Sequence, residues 1–449
     1  MTVATSFTAE VAPGARPVVG HALRFRRRPL EFLTSLRSCA GRVRIRLGPS
    51  HAYVTCHPDL VQEVLAAPRI FDKGGRLFDI ARVVLGNSLV TCSWHEHRRQ
   101  RALLQPAFHR ARLPGYAALM QAEIGSVTAS WRPGQTIDVK ATFDSLTLRV
   151  GARTLFSTDL GLDAEAEIQR SMPIFSEGAF KRVVASLVFL DGLPTPGNRA
   201  FRAAVARVHA VIDTIVDDYR ASGIDHGDLL SLLVTARDDQ SGEGLTDQEI
   251  HDQVVTFLAA STETTSNLLC WTMLVLSEHP EVERQLHDEV DRELDGRLPG
   301  WDDIGRLDYT RRTITEVLRL YPPIWLLTRK TTADCVLGGH PVPAGAMIVF
   351  SPYLVHRDPR LFADAERFDP DRWLPERAES APRGSLVPFG GGSRKCIGDS
   401  FGMTEATITL AAIASRWQLR PVPGQVTRAP PRATLMPDPL RMVVQARSG

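Results

Sequence analysis

Cys396 stands in the run Phe389-Gly390-Gly391-Gly392-Ser393-Arg394-Lys395-Cys396-Ile397-Gly398, whose residue types are those that favour a thiolate. A buried thiolate needs a cation or a metal beside it, and Arg394 and Lys395 bring positive charge next to the sulfur in sequence. Gly392 and Gly398 predict a tight loop with positive φ angles that aims backbone N–H groups at the sulfur and passes directly into a helix. The apolar run from Ile408 to Ile413 is the signal for that helix. The plain alternative for a lone cysteine is a small core hydrophobe. Zinc and iron–sulfur chemistry fail on ligand count, because Cys39, Cys56, Cys92, Cys270, Cys335 and Cys396 contain no Cys-x-x-Cys pair and no cluster.

Three further groups of residues carry potential chemistry. Ala260-Ser261-Thr262-Glu263-Thr264-Thr265 interrupts an apolar run with hydroxyls and one acid, inside a helix predicted from about Gln248 to Glu278. Ala260 and Thr264 share a face of it, while hydroxyls in a helix interior either face solvent or bond back to the preceding turn. Glu316 and Arg319 are i,i+3 partners on a helix that ends before Tyr321-Pro322-Pro323, so they can pair. On the surface such a pair is worth little. Trp94 and Arg98 form an i,i+4 pair of donors, whereas His95 and His97 diverge on a helix and read as no metal site.

The elements that must position these residues are mostly helical. Val205, Val208, Val211, Ile212, Ile215 and Val216 recur at helical spacing, as do Ile314, Val317, Leu318 and Leu320. Val43 to Leu47 and Ala52 to Thr55 alternate around Gly48-Pro49-Ser50 as a hairpin, and a second small sheet is expected from Val336 to Phe350. Gly242 to Leu245, Arg297 to Gly300 and Arg377 to Gly384 read as loops, and the Pro-rich tail after Arg420 is too punctuated for a helix. The chain has 449 residues, 43% of them hydrophobic, with Lys+Arg 53 against Asp+Glu 51, and no linker or repeat divides it. One unit over 1–449 is expected, with residues 1–30 a basic extension containing Pro and Gly.

The longest apolar stretches, such as Leu268 to Leu276, fall short of the ~20 residues of a membrane span. The N-terminus carries Arg24, Arg26, Arg27 and Arg28 without the apolar stretch of a signal peptide. A cytoplasmic protein without a membrane anchor is expected, its arginine cluster a solvated surface rather than a nucleic-acid contact.

The pattern Phe-x-x-Gly-x-Arg-x-Cys-x-Gly resembles the haem-binding loop of the cytochrome P450 family, and the resemblance runs from the first hairpin to the tail. It implies the P450 fold, mainly α with a minor β-sheet region, and haem b with Cys396 as the iron ligand. Phe389 would then pack near the sulfur and Arg394 would hold a haem propionate. The family's Ala/Gly-Gly-x-Asp/Glu-Thr-Thr segment matches residues 260–265, which makes Glu263 and Thr264 the acid and alcohol that guide protons to dioxygen, with Thr262 a bystander. Ser261 departs from the usual glycine and is expected to add a hydroxyl and volume beside the oxygen pocket. Glu316, Arg319 and, from Phe368-Asp369-Pro370-Asp371-Arg372, Arg372 match a structural triad that holds the cysteine loop. Two cations on one carboxylate call for further acceptors, expected to be backbone carbonyls. Trp94, Arg98 and Arg329 match propionate contacts.

The resemblance implies a haem-thiolate monooxygenase that inserts one atom of dioxygen into a C–H bond. No reductase motif accompanies the haem domain, so a ferredoxin and an NAD(P)H-dependent ferredoxin reductase are the expected partners. Arg98, Arg99, Arg101, Arg110 and Arg112 offer them a basic face. The segments that flank the family's substrate pocket, here Phe78 to Val84, Gly178 to Leu190, Ile324 to Leu327 and Leu435-Met436, are largely apolar and suit a small apolar substrate. The whole sequence, including Leu193 to Asn198, resembles actinobacterial terpene oxygenases, which implies stepwise oxidation of a sesquiterpene methyl group to alcohol and aldehyde. Other apolar substrates, a fatty acid, steroid or macrolide, fit the same lining. A rearranging or dehydrating enzyme of the same fold and a noncatalytic haem sensor are the rival readings, and the Glu263-Thr264 pair argues against both.

Overall fold

Val208, Ile212, Ile215 and Val216 are buried along one face of a single long helix, and Ile314, Val317, Leu318 and Leu320 do the same on another. Such spacing drives helix formation because it lets each segment bury one stripe. The computed structural model describes residues 10–37, 41–157, 160–183, 191–237, 242–378, 384–430 and 432–447. Cys39, residues 184–190 of the expected pocket segment and residues 379–383 of the expected loop lie outside that description.

The helices in chain order are α1 (Ala22–Arg27), α2 (Pro29–Thr34), α3 (Pro58–Ala66), α4 (Arg76–Leu85), α5 (Trp94–Leu104), α6 (Leu113–Ala129), α7 (Val139–Phe156), α8 (Gly161–Val183), α9 (Pro196–Ser222), α10 (Leu229–Thr235), α11 (Asp247–Glu278), α12 (Pro280–Leu294), α13 (Asp308–Leu320), α14 (Pro352–Val355), α15 (Pro375–Ala378) and α16 (Asp399–Ala414). A mixed sheet joins β1 (Glu10–Val11), β2 (Arg42–Leu47), β3 (Ser50–Thr55), β4 (Phe71–Asp72), β6 (Leu327–Thr331) and β9 (Met347–Phe350) in the order β1-β2-β3-β9-β6-β4. A second sheet, β10-β11-β5, pairs β5 (Thr136–Asp138), β10 (Trp417–Pro421) and β11 (Arg441–Ala446), while β7 (Cys335–Leu337) and β8 (His340–Val342) form a hairpin.

The first hairpin pairs Leu47 with Ser50 around Gly48, and the Pro-rich tail returns as β11 against β10. The expected second sheet splits in two, because Gly338 and Gly339 at positive φ turn β7 into β8 whereas β9 joins the larger sheet beside β3. Strand β6, unforeseen, fills the gap between β9 and β4 and carries Arg329.

Helix α11 is the axis of the molecule. Thr246 and Glu249 close its N-terminus as a reciprocal capping box, and it packs against α7, α9, α13 and α16. Helix α16 is buried from Thr404 to Ala414, which locks the segment that follows the cysteine loop into the core. One hydrophobic cluster reaches from Ala12 to Val444. Among the described residues no helix is long and apolar enough to cross a membrane.

Candidate active site

The cysteine loop turns on Gly390 and Gly392, at φ 71° and 62°. A Cβ on Gly392 would collide with the Leu65 carbonyl oxygen, so this position admits only glycine. Gly398 differs from expectation: at φ −95° it needs no glycine freedom, and it serves instead as the N-cap of α16, with its N–H acting on the Cys396 sulfur. The Cys396 N–H donates to the Phe389 carbonyl at 2.9 Å, which folds the loop back on itself. Cys396 exposes its surface to a cavity, lined also by Phe389 and by Ala260, Ser261, Thr264 and Thr265 of α11. Burial pushes the Cys396 thiol up, the Gly398 N–H opposes it, and a coordinated metal cation would supply the charge that deprotonation needs.

Cations crowd one side of this cavity. Lys73, Arg101, Arg329 and Arg394 all line it. Burial, together with Arg394 and Arg329, pushes Lys73 down to about 7, and burial and Arg394 bring Arg329 down to about 10. Asp72 accepts from Arg394 at 2.5 Å, and Arg394 keeps a buried Nε without a partner. Trp94 also leaves its buried indole Nε1 unpartnered, with the Arg394 guanidinium 5.9 Å from its ring. These cations, facing a cavity with so little negative charge, fit a group that brings two carboxylates, and the haem propionates are such a group.

Two of the expected propionate contacts are corrected. Arg98 is exposed and absent from the cavity wall, and Trp94 is half-buried beside Arg394 rather than on the wall. One turn on, His97 and Arg101 line the cavity in their place. Burial and the neighbouring cations push His97 down to about 3, so it stays neutral. Lys73 and His97 were missed by the sequence reading. The pair His97/Arg101 carries the same i,i+4 spacing as Trp94/Arg98, and that spacing was the available signal.

On α11 the Thr264 hydroxyl donates to the Ala260 carbonyl at 2.7 Å, in the cavity wall. Ser261 also stands in the cavity wall. Its hydroxyl donates to the Leu258 carbonyl at 3.2 Å and sits over Gly151 of α7, where an added Cβ would stand 2.6 Å from it. Glu263 is half-buried and turned off the cavity wall: one of its carboxylate oxygens accepts from Ser176 of α8 at 2.9 Å and from Thr434 at 2.7 Å. A second acid was overlooked. Glu405 of α16 is fully buried, neither oxygen makes a full hydrogen bond, and burial pushes it up to about 8 against the influence of Thr265. An acid inside the otherwise small and apolar run of α16 was the signal for it.

Glu316 and Arg319 are fully buried and pair in two parallel bonds of 2.8 and 2.7 Å. Arg372 reaches the same carboxylate at 3.3 Å, with Trp373 Nε1 at 2.9 Å and the Asp369 N–H at 3.1 Å. The surplus cation is absorbed by the carbonyls of His356, Ala365 and Arg367 around Arg319, and of Ala363 and Asp364 around Arg372. His356, unforeseen, ties this network to the cysteine loop. Its Nε2 accepts the Val387 N–H at 2.8 Å, which assigns the proton to Nδ1, 3.1 Å from the Arg319 carbonyl.

Of the apolar segments expected around the substrate, Phe78, Ile324 and Leu327 line the cavity. Leu435 and Met436 are buried outside its wall, and no described residue of the 178–190 segment contributes to it.

The cytochrome P450 family model matches residues 12–444. Cyclooctatin synthase of Streptomyces melanosporofaciens is 50% identical over 438 residues, covering 97% of this chain and 95% of its own. Cyclooctat-9-en-7-ol 5-monooxygenase of the same organism is 49% identical over 441 residues, 98% and 96% of the two chains. Pentalenene oxygenase of Streptomyces avermitilis is 44% identical over 444 residues, 99% and 98% of the two.

Proposed function

The chain belongs to the cytochrome P450 family, and from that premise we propose that this monooxygenase hydroxylates a cyclic terpene, either a hydrocarbon or an alcohol already made from one. The observation that carries the reading is the cavity between Cys396 and the Ala260–Thr265 turn of α11, rimmed by cations and otherwise apolar. Haem b, when bound, supplies the activation of dioxygen, with Cys396 as its thiolate ligand and Lys73, Arg101, Arg329 and Arg394 as partners for its propionates.

The residues of the chain do the rest. Phe78, Phe257, Ile324 and Leu327 offer a substrate no hydrogen-bond partner, so it is held by shape and by exclusion of water. Thr264 holds a hydroxyl in the wall, where on release from the Ala260 carbonyl it would present a proton to the reacting oxygen, and Glu263, its neighbour on α11 turned toward Ser176 of α8, would be the acid that resupplies that proton. Such a positioned acid contributes ~10²–10⁴-fold. The whole chain acts as one haem domain that takes its electrons from a ferredoxin. Stepwise oxidation of a sesquiterpene methyl group is the pentalenene-like form of the reading, and the relative named for cyclooctat-9-en-7-ol extends it to hydroxylation of an alkenol.

The test is the purified holoenzyme with ferredoxin, ferredoxin reductase, NADPH and a panel containing pentalenene and cyclooctat-9-en-7-ol. A hydroxylated terpene product is expected, and the Cys396→Ala variant is expected to lose the red-shifted ferrous carbon monoxide spectrum. Turnover of fatty acids or steroids in preference to every terpene would overturn the substrate class. Product formed without external electrons would overturn the monooxygenase role.

A further inference from the structure

Glu263 does not hold itself in place. Both hydroxyls on its carboxylate come from far along the chain: Ser176 lies in α8, and Thr434 lies in the segment between β10 and β11. Each is buried, at 1% and 6% exposure, so neither bond is a casual surface contact. Thr434 is itself fixed, since its hydroxyl oxygen accepts from Asn267 Nδ2 at 3.0 Å, one turn along α11 from Glu263. Its neighbour Leu435 is pinned in turn by its N–H to the Pro323 carbonyl and by its own carbonyl to Trp271 Nε1. A hydroxyl that donates to a carboxylate fixes its direction, and two donors on one oxygen leave the other oxygen free to exchange a proton.

We propose that Ser176 and Thr434 are positioning residues for the proton-delivering acid, orienting the Glu263 carboxylate so that proton supply is set by the docking of α8 and of the Thr434 segment onto α11. Helix α8 packs on α4, which presents Phe78 to the cavity, so a substrate that settles α4 also settles the donor on Glu263. This rests on the proton role of Glu263 given above. The arrangement is a property of two segments that the motif on α11 does not contain.

The experiment uses the holoenzyme with ferredoxin, its reductase, NADPH and cyclooctat-9-en-7-ol as the added probe, reading hydrogen peroxide released per NADPH and the solvent deuterium isotope effect. Ser176→Ala and Thr434→Val should each slow proton-dependent turnover about tenfold, less than the ~10²–10⁴-fold of the acid itself, with more peroxide and a larger isotope effect. Ser176→Thr and Thr434→Ser, which keep the hydroxyl, should restore both. In a Glu263→Gln background, Ser176→Ala should add nothing, and the melting temperatures of the two single variants and the double variant should be non-additive, a readout independent of turnover. Haem loading should be unchanged throughout. If Glu263→Gln alters coupling while Ser176→Ala and Thr434→Val do not, the positioning role is overturned and the acid stands. Additive defects in the double variant overturn it too, by showing a separate structural effect. If Glu263→Gln itself leaves coupling intact, the proton role of the acid fails first.

Discussion

Thr264 and Ser261 lie three residues apart on α11, yet their hydroxyls meet different surroundings. Thr264 faces the cavity, so Thr264→Ala should retain haem and substrate binding while product per NADPH falls and peroxide rises, toward the lower end of the ~10²–10⁴-fold of acid–base assistance. Ser261 lines the same cavity, but its hydroxyl lies against α7 and fits the space that Gly151 leaves open. Gly151→Ala should therefore cost ~1–3 kcal/mol by overpacking against a fixed hydroxyl. In a Ser261→Gly background the same change should instead stabilise, by up to ~0.8–1 kcal/mol, because the obstruction is gone and alanine favours the helix over glycine. Urea unfolding of the four proteins measures this, and equal costs in both backgrounds would refute the pairing. The motif residues themselves were legible, because fixed spacings around Cys396 and Glu263 are local facts. Where they point was not. Trp94/Arg98 and His97/Arg101 share an i,i+4 spacing, and three residues turn a helix only about 60° short of a full revolution, so sequence could not say which pair meets the cavity. Glu405 and Lys73 were missed for a related reason: their character comes from burial supplied by distant segments.

At the scale of elements, α13 is joined to the segment that leads into the cysteine loop by a network of buried hydrogen bonds. The buried Glu316–Arg319 pair is a costly device unless every lone pair and proton is used, and here five carbonyls and a tryptophan complete it. His356 carries that rigidity to Val387 through both ring nitrogens. Burial pushes His356 down from 6.5 to about 3. The unfolded chain therefore binds a proton between those values that the folded chain refuses, so this residue makes stability rise with pH across that window and fall on acidification. The slope is ~1.4 kcal/mol per pH unit while only the unfolded form is protonated. His356→Gln keeps one donor and one acceptor but does not titrate. Its melting temperature should be lower at neutral pH, with less haem retained, and its decline between pH 6.5 and 3 should be shallower than in the parent. Parallel declines would show that His356 is not the group being titrated. The triad was readable from two short motifs, whereas the histidine was not, because its two partners lie 37 and 31 residues away.

For the whole molecule, helix content, the first hairpin and the non-helical tail were legible from periodicity and punctuation, but strand pairing such as β3 with β9 is a long-range choice that no local pattern records. The same limit applies to surfaces. With Lys+Arg 53 against Asp+Glu 51, the chain has almost no net field to draw in a partner, so any steering must come from a local patch. The arginine stretch first assigned to that patch is partly consumed by the fold: Arg99 pairs with Glu249 at 2.7 Å, and Arg101 lines the cavity and donates to the Lys395 carbonyl at 2.7 Å. That last bond places α5 against the cysteine loop. Arg98 and Arg110, both exposed, remain as the basic groups of this stretch for an acidic ferredoxin to meet. Exposed charges act over about 8–10 Å at physiological salt and less above it. Arg98→Glu with Arg110→Glu should therefore slow ferredoxin-driven reduction several-fold at low ionic strength, with the deficit shrinking as salt rises, while the carbon monoxide spectrum and substrate binding stay as in the parent. Stopped-flow reduction across a salt series measures it, and an undiminished rate at low salt would put the docking surface on another face.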